Sequence, residues 1–181
     1  MRRPLLLVAV LLLAGCGSAE PESVKPVRAA EPQRAVLDWR ESYPSSGQRL
    51  VFVVHTLEIT KEGWSADIAV TDSTRIPFEL GAIPEPLVFG LMLFPTDDLD
   101  ELADAADTGR LPAPRLATRF EPAPPDLLAP GQTWRTTISA PGSLADGAYV
   151  RVSFGPFRAK GDPPPGMQPT VSWITDRSYR L

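Results

Sequence analysis

Leu50-Val51-Phe52-Val53-Val54-His55-Thr56-Leu57-Glu58-Ile59-Thr60 is a run rich in β-branched and aromatic residues, the side chains that suit a pleated, half-buried surface. Lys61-Glu62-Gly63 follows, a short turn whose glycine is free to take positive φ. Beyond it Trp64, Ala66, Ile68 and Val70 alternate with Ser65, Asp67, Ala69 and Thr71. Two such runs joined by a short turn predict a β-hairpin.

The same period of two runs outward in both directions. Leu37 and Trp39 alternate with Asp38 and Arg40 upstream, with Tyr43 in step. Downstream come Ile76, Phe78 and Leu80, then the apolar run Leu87 to Phe94, closed by Pro95. A run apolar on both faces has to be covered, or it would template aggregation. Trp134, Thr136 and Ile138 form another strand, and Ala148, Val150, Val152 and Phe154 another. Thr170 to Leu181, with Val171, Trp173 and Ile174, forms the last. Only Thr96 to Gly109 prefers helix, with Thr96 as N-cap, acids in the first turn and Gly109 as stop signal. Its apolar face is Leu99, Leu102, Ala103 and Ala106. Seven or so short strands and one helical insert predict an all-β antiparallel β-sandwich with one short inserted helix.

The N-terminus is of another kind. Met1-Arg2-Arg3 is a basic start, and Leu5 to Ala14 is unbroken apolar chain. That run is too short for a membrane helix, which needs about 20 residues, but it fits the core of a secretory signal. Leu13-Ala14-Gly15-Cys16 then resembles the lipobox of bacterial lipoproteins, and Cys16 is the one cysteine of the chain. The resemblance implies that residues 1–15 are a signal peptide, and that Cys16 is lipidated and becomes the first mature residue. It also implies a location at the extracytoplasmic face of a bacterial membrane, held by acyl chains. Residues 16–34 carry three prolines and no apolar period, so they read as a flexible tether. The eighteen residues after Cys16, as a coil, span roughly 25 Å. The domain is then residues 35–181.

Two further segments carry a resemblance. Leu128-Ala129-Pro130-Gly131-Gln132-Thr133-Trp134 and Leu144-Ala145-Asp146-Gly147-Ala148-Tyr149 are similar to the E and F strand region of bacterial immunoglobulin-like domains. The likeness implies an immunoglobulin-like sandwich and makes Tyr149 its structural corner, with the hydroxyl tied to upstream backbone. Arg151 stands where the second cysteine of the paired-cysteine members lies. The layout resembles that of small extracellular bacterial lipoproteins.

Composition narrows the function. Lys and Arg number 18 against 22 Asp and Glu, a net charge of −4. Loss of Arg2 and Arg3 with the signal takes this to −6. No nucleic-acid partner is expected, because no broad basic face can form. One Cys and one His exclude an intrachain disulfide and a Cys/His zinc cluster, and lipidation of Cys16 would leave no thiol for a Cys–His nucleophile. His55 falls in phase with Val53, Leu57 and Ile59 and reads as structural. The acids Asp97, Asp98, Asp100, Glu101, Asp104 and Asp107 lack the calcium-loop pattern and fan around a helix, so no metal and no cofactor is expected. Trp39, Trp64, Trp134 and Trp173 read as core rather than as a sugar platform.

The segment Phe157 to Pro169, with Pro163, Pro164 and Pro165, reads as a stiffened loop presenting Arg158, Lys160 and Met167. These residues point to a non-enzymatic binding module for a protein or an envelope polymer, anchored to the membrane by its lipid. A proteinase inhibitor using the 158–169 loop and a carboxylate-dependent hydrolase are the alternatives.

Overall fold

The computed structural model describes residues 28–80 and 87–181. Cys16 and most of the expected tether lie outside the described residues. The elements run β1 (Gln33–Tyr43), β2 (Leu50–Ile59), β3 (Gly63–Asp72), β4 (Phe78–Glu79), β5 (Gly90–Phe94), α1 (Leu99–Asp107), β6 (Arg115–Leu116), β7 (Arg119–Glu121), β8 (Leu127–Leu128), β9 (Thr133–Pro141), β10 (Tyr149–Ala159), β11 (Thr170–Ile174) and β12 (Tyr179–Arg180). They build two antiparallel sheets packed as a sandwich, with one short helix at its side. No described helix is long and apolar enough to cross a membrane.

The expected hairpin is the centre of the first sheet, whose order is β1-β2-β3-β9-β7. Gly63 is needed there for a reason other than positive φ. Its backbone lies so close to Ala140 that a Cβ would collide with the Ala140 carbonyl oxygen. β10 is the spine of the second sheet. β5 pairs along its first half and β4 at its far end, while β11 and β12 lie along β10 as well.

Inward side chains of the two sheets meet in one apolar core. Phe52 packs on Phe154 and Phe157, and Phe89 on the same two rings, with centroids 5.2 to 6.0 Å apart. Each ring so buried contributes about 1.5–3 kcal/mol. Trp39, Trp64 and Trp134 belong to this core, and Trp173 stacks on Phe52 at its edge.

Four expectations are corrected. First, β2 does not keep one phase. A bulge between Val54 and Thr56 faces another in β1 between Val36 and Trp39, where Asp38 has φ +46°. The extra residue turns the strand over: Phe52 and Val54 point inward, then Leu57 and Ile59, while His55 is left toward solvent. Second, the ordered domain starts upstream of residue 35. Ala29 bridges Ala145, the Ala30 amide donates to the Leu144 carbonyl at 2.8 Å, and β1 already begins at Gln33.

Third, the helix cap is Asp98 rather than Thr96; its side chain accepts from the amides of Asp100 and Glu101. Fourth, Tyr149 is not the expected corner. It already lies in the ladder, paired with Phe94 and Arg180, and the Arg180 guanidinium covers its ring. Its hydroxyl makes no hydrogen bond among the described residues. Backbone closes that turn instead, through Gly147 to Leu181 and Asp146 to Arg28. The tyrosine that ties the sheets is Tyr179, whose hydroxyl donates to Gln33 Oε1 at 2.8 Å.

Tyr149→Phe is therefore expected to unfold at the wild-type denaturant midpoint. Tyr179→Phe is expected to lose about 0.5–1.5 kcal/mol, the usual worth of one hydrogen bond. Parallel urea unfolding of the two variants checks both.

Candidate functional site

Arg151 lies near the start of β10 between Val150 and Val152, with 1% of its surface exposed. The valines face the core, so alternation aims Arg151 at the opposite side of the sheet. There its guanidinium donates to three backbone carbonyls: Thr175 at 3.0 Å, Asp97 at 2.9 Å, and Asp176. Its Cζ also sits 5.6 Å from the centre of the Phe94 ring. Burial pulls the Arg151 pKa down, and the nearby carboxylates of Asp176, Glu41 and Asp97 push it back up. An arginine stays charged in such a setting.

Glu41, near the end of β1, holds the same segment from the other sheet. Its carboxylate accepts from Trp173 Nε1 at 2.8 Å, from the Asp176 amide at 2.9 Å and from the Arg177 amide at 3.1 Å. Residues 173–177 are thus clamped between a base of one sheet and an acid of the other. Burial, with Glu41 adding to it, raises the Asp176 carboxyl above the ordinary range, while Arg151 opposes the shift.

The clamped segment is one wall of an apolar groove. Trp173, Ile174 and Asp176, with Ser172 and Leu111, face Leu99, Leu102, Ala103 and Ala106 of α1 across a space of about 520 Å³. A second hollow of about 410 Å³ lies on the other flank of the helix, beside Leu93, Phe94 and Pro95. Leu102 lines both hollows. No residue of α1 is buried, and Leu99 is 50% exposed. The helix stands off the sheet, with its apolar face toward the gap. That face was legible in the helical spacing of residues 99–106. The facing wall was not, because Arg151 and Glu41 place it mainly through backbone groups.

The residues expected to form a binding loop do not converge. Arg158 is paired in the ladder with Glu79 and Thr170. Lys160 is exposed, with Nζ 3.4 Å from Glu79 Oε1. Met167 is a correction: it is 6% exposed and belongs to the core, so the loop is plugged into the sandwich rather than presenting that side chain. The loop folds back because the Met167 amide donates to the Pro164 carbonyl at 3.0 Å, and the Ala159 amide to that of Pro169 at 2.9 Å.

His55 faces outward on the first sheet, with Nδ1 3.4 Å from Asp38 Oδ1. Beside it Asp67 accepts from the hydroxyls of Thr56 at 2.6 Å and Thr137 at 2.7 Å, which hold its carboxyl below the usual range. This is a polar patch on an open sheet face. Among the described residues no three Asp, Glu, His or Cys side chains group to hold a metal ion.

Comparison with known proteins adds no family. No protein-family model matches the sequence, and no curated protein or solved structure matches it.

Arg151→Met keeps much of the side-chain bulk and strands the three carbonyls. It is expected to cost roughly 1–3 kcal/mol, the range for leaving buried hydrogen-bonding groups without a partner. Chemical denaturation measures the loss; a change under 1 kcal/mol would show that the guanidinium does not hold the segment.

Proposed function

We propose that this chain is a bacterial lipoprotein, and that its sandwich is a non-enzymatic interaction module tethered to the extracytoplasmic face of a membrane. The observation that carries the binding part is the groove between α1 and residues 172–176, an apolar face left uncovered beside a rigid wall. An exposed apolar patch rimmed by polar residues is a common mark of an interaction site.

Two things support the rest of the reading. Leu13-Ala14-Gly15-Cys16 supports the anchor. A lipid-anchored domain with no spanning helix needs more than one acyl chain to stay bound. The strand order supports an immunoglobulin-like lineage. β2-β3-β9-β7 in one sheet and β5-β10-β11 in the other follow the ABED and CFG order of those sandwiches. In that frame β1, β4, β6, β8 and β12 are additions, and α1 is inserted after the C strand.

The anchor is tested in the bacterial cell. Wild-type chain is expected to incorporate labelled palmitate and to fractionate with membranes. Cys16→Ser is expected to lose the label and to stay unprocessed or be released. Equal labelling and fractionation of the two would refute the lipoprotein reading.

A further inference from the structure

We propose that the α1 groove docks a basic amphipathic peptide segment of a partner protein, apolar side chains entering the groove and Lys or Arg meeting its acidic rim. This deepens the binding-module reading and rests on it, but not on the lipid anchor.

Three features select that occupant. The floor is apolar and aromatic, made by Leu99, Leu102, Ala103, Ala106, Trp173 and Ile174. The charge among the lining residues is acidic. Asp176 is the charged residue lining the groove on the sheet side. On the helix, Asp100 lies three residues before and Asp107 four residues after groove-lining Ala103, so both border the apolar face. Neither makes an ion pair among the described residues, whereas Asp104 is taken by Arg110 and Glu101 accepts from the Thr96 hydroxyl. The third feature is shape. The groove runs along a nine-residue helix, which suits an extended or helical segment lying beside it with anchors at helical spacing.

The same charges argue against lipid. An anionic membrane surface repels a chain with 22 acids against 18 bases and an acidic helix at its groove. A cationic peptide gains where lipid loses. The Asp176 carboxyl, raised by burial and by Glu41, is relieved by an incoming cation.

The test uses the full chain, reconstituted in neutral phosphatidylcholine vesicles, with protein-free vesicles alongside. The probes are a fluorescein-labelled peptide of Leu and Lys at helical spacing and a twin with Glu for every Lys. The Lys peptide is expected to bind saturably, one to one, with a change in tryptophan emission. Binding should weaken at least tenfold in Ala103→Trp, which fills the groove, and several-fold in Asp176→Lys. It should also weaken as salt rises, because rim charges are screened. Ala103 is not buried, so Ala103→Trp leaves the core intact, and a wild-type urea midpoint verifies this. The proposal is overturned if the Glu peptide binds as tightly, if Ala103→Trp binds like wild type, or if protein-free vesicles account for the signal.

In-cell photocrosslinking separates its failure from that of the module reading. A partner captured from position 55 but not from position 103 overturns the groove alone. Capture from neither position overturns both.

Discussion

A charged guanidinium sits where a β-sandwich would ordinarily carry an apolar or small side chain. Taking Arg151 out of water costs several kcal/mol, and the fold offsets that with three carbonyl acceptors and the Phe94 ring. Those acceptors belong to two separate segments, the turn after β11 and the turn before α1. One side chain therefore fixes both walls of the groove. Glu41 completes the arrangement from the opposite sheet, where its carboxylate accepts from an indole and two amides. Without this pair, β11 would end as a loose edge and α1 would have no fixed surface to face.

The groove follows from that constraint. α1 is capped by Asp98 and stays short, and it buries none of its residues. Its apolar face is supplied by local sequence, while the surface opposite is supplied by long-range hydrogen bonding. The two meet without closing. A helix that spent its apolar stripe on the core would have filled this space. Because the wall is hydrogen-bonded in advance, a ligand entering there would not have to order it, which lowers the cost of binding.

Much of the architecture was written in periodicity. The β2–β3 hairpin, the covered strand at β5, the tryptophans of the core and the apolar face of α1 all came from residue type and spacing. What was missed has physical reasons. The paired bulges at Asp38 and His55 shift phase by one residue, and a run as rich in valine as residues 50–60 hides such a slip. The signal was present: Phe52 and Val54 keep one phase, Leu57 and Ile59 the other. The prolines before Met167 suggest an exposed loop, but a flexible apolar side chain near a sandwich end fills core as readily. The Arg151 clamp left no motif, since most of its acceptors are backbone carbonyls. Tyr149 carried a local pattern without the geometry behind it, and Tyr179, thirty residues later in the chain, does the tying.

The central claim is that Glu41 and Arg151 hold residues 173–177 as a rigid wall. Amide hydrogen exchange on the native protein reads it directly. The account predicts that the Asp176 and Arg177 amides and the Trp173 indole exchange slowly. In Glu41→Ala these three should exchange much faster, while the β2 and β3 amides keep their protection. Exchange of Asp176 and Arg177 at the rate of an unstructured loop in the wild-type protein would contradict it.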